Sequence, residues 1–412
     1  MSDIRPFRAF RPPPELVARV ACPPYDVLNT EEAREMARGN EVSFLHVNKP
    51  EIDFPADHDP YAADVYERGR GNLERMIREG LLLRDPEPCF YIYRQTMGNH
   101  IQTGLVAGAS LAEYEDGRIK KHEFTRPDKE DDRTRHIDVL DANDEPVFLT
   151  YLARPEVDRL LAQIQTTPPV YDFRSDDGIG HTLWVAGAAE VVSLRRLFAD
   201  IPDLYVADGH HRSAAATRVL NARRAAGRVR SGEEACCFFL TVLFPHDQMK
   251  IMAYNRVVKD LGGLGEPEFL SAVGRTFDVQ PAASAEPEQV RSFGMFLGGR
   301  WHRLTPKPGT VPAADPVQSL DAAILQNNLL QPVLGIEDPR RDKRIDFVGG
   351  IRGTAELEKR VTGGKAAAAF ALFPVSIEQL MRVADAGLVM PPKSTWFEPK
   401  LRSGLFVRSL SD

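Results

Sequence analysis

The stretch YVADGHHRSAAATRVL, Tyr205 to Leu220, constrains the fold of this sequence more than any other segment. Leu204 to Ala207 reads as a short apolar strand, and Ser213 to Ala226 has the Ala/Arg-rich composition of a helix. Only Asp208-Gly209-His210-His211-Arg212 lies between them, so the chain must turn tightly, and Gly209 supplies the backbone freedom for it. A helix that starts here presents unpaired N–H groups and its positive dipole end, which favour a phosphate-like anion. His210, His211, Arg212 and the Ser213 hydroxyl add donors, with His211 also a candidate catalytic residue. Asp208 repels an anion, so its expected role is to hold a Mg²⁺ that bridges phosphate oxygens, or to orient a histidine. The competing reading is an ordinary Asp-Gly turn with solvated histidines. Five site-type residues in a row between strand and helix weigh against it.

The remaining chain reads as mixed α/β (α+β) material in two or three lobes, since 412 residues exceed what one core usually serves. Charged helical patterns run from Thr30 to Gly39 and Tyr61 to Gly80; a hairpin follows, Cys89 to Gln95 and Ile101 to Leu111, turning at Met97-Gly98-Asn99. Further strands are expected at Val147–Tyr151 and Cys236–Phe244, a second hairpin at Phe293–Leu304, a helix over Leu320–Leu330, a strand at Ile345–Val348 and a strand-turn-helix run over Ala369–Asp385. The division expected is 1–90 as an N-terminal α/β segment, 91–280 as the strand-rich catalytic region, and 281–412 as a C-terminal α/β region ending in a polar loop too irregular for a core. Four cysteines without a Cys-x-x-Cys pair read as buried, reduced thiols, the pattern of a cytoplasmic protein. No apolar stretch approaches a membrane span, and a net charge of −7 speaks against a nucleic-acid partner. A small molecule is the expected ligand; a homodimer is compatible with all of this.

Three other segments offer chemistry. IKKHEFTRPDKEDDRTRHIDVLDAN, Ile119 to Asn143, follows a strand; if it is helical after Pro127, then Arg126, Lys129, Arg133 and His136 form one basic stripe, with Lys121 and His122 leading into it. Such a stripe would neutralise a substrate phosphate, and Glu123 before it is the candidate general base. A solvated helix laced with ion pairs is an equal alternative. Lys393, Ser394 and Thr395, with Arg402, offer charge and hydroxyls on a proline-stiffened loop. Tyr25 and Asp26, in Cys22-Pro23-Pro24-Tyr25-Asp26-Val27, could face a ligand, though a surface proline turn is the plainer reading.

Taken as a set, IRPFRAFR, CPPYDV, the Ile119–Ile137 block, PVFLTY, ADGHHR, NRVVKDL, RIDFVGG and MPPKSTWFEPKLRSG resemble the family known as domain of unknown function 1015 over nearly the whole chain. Cys22 departs from it, standing where alanine is usual. More distantly, the strand, ADGHHR turn and helix resemble the ParB/sulfiredoxin fold, which includes free serine kinases. That resemblance implies a ParB/sulfiredoxin-like core with large inserted and C-terminal α/β segments. It also implies Mg²⁺, ATP or ADP as phosphate donor or acceptor, and Asp208, His210, His211 and Arg212 on the nucleotide phosphates. The activity implied is phosphoryl transfer between a nucleotide and serine or phosphoserine. Against it stand a phosphatase or nucleotide hydrolase, and a ParB-like nucleotide-switched binding or sensing protein.

Overall fold

A computed structural model describes residues 2–411. It is a mixed α/β structure that divides into two compact units, Met1–Met249 with Pro399–Asp412, and Lys250–Glu398. The boundaries expected at residues 90 and 280 do not coincide with these units: segment 1–90 shares its unit with 91–249, and the last fourteen residues return to it.

The first unit is built on a nine-stranded sheet of β1 (Ile4–Arg5), β2 (Tyr91–Met97), β3 (His100–Ser110), β4 (Ile119–Lys120), β5 (Val147–Tyr151), β6 (Tyr171–Arg174), β7 (Gly180–Val185), β8 (Leu204–Asp208) and β9 (Phe238–Pro245). Its order is β4-β8-β5-β9-β3-β2-β7-β6, with β1 beside β3. β9 runs parallel to β5 and antiparallel to β3, and every residue of β5 and β9 is buried, which is why VFLTY and FFLTVLFP carry no polar alternation. Close packing inside the sheet depends on Gly104 in β3, where a Cβ would fall 2.8–2.9 Å from Val242 and Phe244. The β2–β3 hairpin turns at Gly98, at φ 58°, where the sequence places it. Helices α1 (Ala63–Arg78), α2 (Pro127–Leu140) and α3 (His210–Ala225) belong to this unit; α2 packs on both α1 and α3.

Two expectations change here. Cys236 lies in a short 3₁₀ turn, Ala235–Cys237, and the strand begins at Phe238. The C-terminal tail is no surface loop beyond Glu398: Leu401, Arg402, Ser403, Leu405, Phe406 and Val407 are buried, with the Phe406 ring 5.3 Å from that of Tyr91.

In the second unit β10 (Tyr254–Val258), β11 (Phe277–Pro281), β12 (Phe293–Leu297), β13 (Arg300–Pro306), β14 (Ile345–Gly349) and β15 (Ala368–Leu372) form an antiparallel sheet ordered β11-β13-β12-β15-β10-β14. It has its own core, with Phe269, Phe277, Phe293, Leu325 and Phe370 fully buried. The helix expected over Leu320–Leu330 is α-helical only for Asp321–Leu325 and widens into a π turn at Gln326–Leu330. Pro332 explains the widening, because it has no N–H for the Asn328 carbonyl and its ring crowds that carbonyl. Thr276 Oγ1 donates to the Asn328 oxygen instead, at 2.8 Å.

Candidate functional site

β8 runs into α3 through Gly209, whose φ of 94° lies in the left-handed region and whose absent Cβ would sit 3.3–3.4 Å from Arg212 and Val147. The helix therefore starts at His210, three residues before the sequence suggests, and the N–H groups of His210, His211 and Arg212 belong to its open first turn. That first turn has no acidic residue and no side-chain cap.

Asp208 does not face this turn as a metal ligand. Its Oδ1 accepts from the Gly209 N–H at 2.8 Å, and its Oδ2 is paired with Lys400 Nζ at 2.7 Å. Burial alone would push the Asp208 pKa up, but Lys400 and Arg212 outweigh it and hold the carboxyl well below the usual range. Lys400 was missed at the sequence level, where Lys393 and Arg402 were the tail cations chosen; its position directly after Glu398-Pro399 in the matching tail motif was the available signal.

The side chains expected to bind phosphate divide by burial. His211 is half-buried, and its Nε2 accepts the Arg126 N–H at 3.1 Å, which ties the start of α2 to the start of α3. Arg212 is buried: it donates to the Pro146 carbonyl and pairs with Asp26 Oδ2 at 3.3 Å, so it positions the turn rather than presenting a cation to solvent. Ser213 is fully buried and donates back to the His210 carbonyl at 3.0 Å, which removes it from the phosphate-binding set.

His122, Glu123 and His210 come together beside the turn, with one possible ligand atom of each within 4.8 Å of the others. The two imidazole rings meet edge to face at 4.5 Å, and Glu123 Oε2 lies 3.9 Å from His210 Nδ1. Both histidines are buried, and among the described residues Nε2 of His210 has no hydrogen-bond partner. Burial drives the His122 pKa down to about 4 against the opposing Val206 backbone and Asp208 charge, and drives that of His210 well below its usual value. Both rings are thus neutral at pH 7 and able to accept. Glu123 remains partly open to solvent, with 41% of its side chain exposed. As a donor set, two imidazoles and a carboxylate suit a transition ion or zinc better than Mg²⁺, which prefers oxygen. With Asp208 engaged by Lys400, the residues present do not form the Mg²⁺ site expected from the sequence.

The basic stripe of α2 is split. Arg126 is exposed and forks onto Asp128, and Lys129 Nζ reaches the Tyr61 hydroxyl at 3.1 Å. Arg133 and His136 point inward, paired with Asp132 at 3.0 Å and Asp144 at 2.8 Å. Arg133 also covers the Tyr25 ring at 4.1 Å. The Tyr25 N–H is anchored on Glu145 at 2.9 Å, so this proline loop is a packed support for Arg212. Lys121 Nζ lies 4.2 Å from the Tyr114 ring centre. Arg402 is buried against Ser175, His181 and Asp177, a structural anchor rather than a ligand-facing cation. Lys393, Ser394 and Thr395 belong to the second unit.

No curated protein matches the sequence. Among solved structures, a free serine kinase variant in complex with AMP shares 12% identity at a TM-score of 0.35, covering 71% of this chain and 87% of that one. A conserved hypothetical protein from Pyrococcus furiosus shares 13% at 0.35, covering 74% and 95%. C-terminally truncated SbnI from Staphylococcus aureus shares 12% at 0.38, covering 74% and 87%. Residue roles therefore rest on the geometry above. The family is settled by a match over residues 4–323: the chain belongs to DUF1015, a family described as protein of unknown function.

Proposed function

We propose that this protein catalyses nucleotide-dependent phosphoryl transfer involving free serine or phosphoserine. The observation that carries this reading is the open first turn of α3 behind Gly209, with the half-exposed Glu123 carboxylate beside it. Phosphate oxygens accept from the first N–H groups of α3, and the His211 ring, whose Nε2 accepts from Arg126, adds its Nδ1–H as a side-chain donor at the same end. Glu123 takes the proton from the serine hydroxyl as its oxygen bonds to phosphorus and the bond to the nucleotide's leaving oxygen breaks. Burial holds the His210 pKa well below its usual value, so its ring stands at this end as a neutral imidazole. Mg²⁺ belongs to this scheme as part of the nucleotide complex. Four free cysteines, all buried, suit an intracellular, cytoplasmic setting. Among the described residues no helix is long and apolar enough to cross a membrane.

A second reading, hydrolysis of a phosphate ester or nucleotide, is favoured by the His122–Glu123–His210 donor set, which suits a metal-bound water. One experiment separates the two. The protein is incubated with Mg²⁺, serine and ATP or ADP, and in reverse with phosphoserine and a nucleoside diphosphate or monophosphate, and products are read by mass. Phosphoserine formation that falls at least about a hundredfold in Glu123→Gln and His211→Ala, with unchanged melting, supports transfer. Phosphate release indifferent to serine supports hydrolysis, and equal turnover in wild type and both variants sinks the transfer reading.

A further inference from the structure

Arg256 lies in β10 and is 3% exposed, yet among the described residues no carboxylate comes within ion-pair distance of it. Its guanidinium donates only to main-chain oxygens, those of Tyr254 and, at 3.3 Å, Pro392, which leaves Nε for a further acceptor. Burial lowers its pKa to about 10, with the nearest opposing influences from Tyr254 and Asp321. Asp321 is itself buried, with a pKa raised by burial to about 7 and one oxygen unpartnered, so it is a poor counter-charge. An unpaired buried guanidinium is unfavourable, and a site that keeps one has a use for positive charge.

Aromatic side chains and one lysine surround Arg256. Tyr254 and Arg256 share one face of β10, two residues apart, and Phe347 lies opposite Arg256 in the register with β14, its ring centre 5.4 Å from the guanidinium. Gly349 lies opposite Tyr254, and its missing side chain admits the Trp396 indole, which a Cβ would meet at 2.8 Å. Trp396 stands edge-on to Tyr254 at 5.1 Å. Over this face runs the Pro391-Pro392 loop, with Lys393 held at a φ of 55° and its ammonium 5.6 Å from the Tyr254 ring centre. A lysine rarely adopts that backbone conformation, so the loop is strained in a way that presents its cation beside Tyr254.

We propose that this face of the second unit binds the oxyanion of a small molecule, a carboxylate or phosphate monoester, between the Arg256 guanidinium and the Lys393 ammonium, walled by Tyr254 and Trp396. A planar guanidinium matches either oxyanion, and the aromatic walls exclude water from the pairing. The assignment stands independently of the phosphoryl-transfer reading, which concerns the turn before α3.

The test is thermal melting and tryptophan fluorescence of the full chain, titrated with inorganic phosphate, acetate and phosphoserine. Wild type, Lys393→Ala, Arg256→Met and Lys400→Met are compared, Lys400 being the cation at the other site. Support is a saturable response to at least one anion that weakens about tenfold or more in Lys393→Ala and Arg256→Met and persists in Lys400→Met. Arg256→Met should melt at or above wild type, because it removes a buried unpaired charge. Lys393 is exposed, so its variant remains informative if Arg256→Met fails to fold. No response to any of the anions, an equal response in all four proteins, or a response lost only in Lys400→Met overturns the proposal.

Discussion

Arg212 illustrates how far a side chain's role depends on its burial. In the sequence it is one of several donors around a turn; in the structure it is the positive centre that faces Asp26 and Glu145, and these acids with Asp208 raise its own pKa against the cost of burial. Removing it leaves carboxylates without their counter-charge, so Arg212→Ala is expected to cost about 3–5 kcal/mol of unfolding free energy, read from denaturant curves. His211→Ala, which loses a half-buried ring, should leave those curves nearly unchanged. A stability loss confined to His211 would reverse the two roles. The cluster of charged and imidazole side chains was legible around Gly209, but which of them are buried in pairings and which stay accessible was not. Ser213 turns back onto its own helix and Lys400 arrives from 192 positions away, facts that depend on backbone direction and chain return.

At the scale of elements, the strand-turn-helix unit was legible because apolar strand, Gly and Ala-rich helix each carry their own local signature. Its helix start was not, since a left-handed Gly209 lets the helix begin immediately after it. Gly209→Ala is therefore expected to destabilise the protein by about 1–2 kcal/mol through the positive φ, and to displace the first turn of α3 through contact with Arg212 and Val147. Chemical denaturation and phosphate binding measured on the same variant check both halves; wild-type values for each would mean the turn tolerates a side chain. The basic spacing in α2 was legible as a stripe, yet a stripe of cations near the helix's packed face is divided between solvent and buried acids. Spacing alone gives the face, while the neighbours on that face decide whether a charge is displayed or neutralised.

For the whole molecule, the chain leaves the first unit at residue 249 and re-enters it at 399. The returning segment fills buried positions: Val407 exchanges hydrogen bonds with Phe10, Ser403 with Cys22, and Arg408 donates to Phe238 at 2.8 Å. Deleting residues 399–412 should remove cooperative unfolding of the first unit, while a 250–398 fragment, which has its own apolar core, should retain a cooperative melt by circular dichroism. A truncated chain that still melts as wild type would show the tail to be dispensable. By itself the sequence determined the mixed α/β class, the two hairpins and the tight strand-to-helix turn at Gly209, because periodicity and turn chemistry act over a few residues. Only the tertiary structure decided that Asp208 belongs to Lys400, that His122 and Glu123 stand with His210, and that Arg256 is buried with no carboxylate at ion-pair distance among the described residues. Those pairings join residues distant in sequence, and burial, which sets their charge states, is a property of the packed chain rather than of any segment.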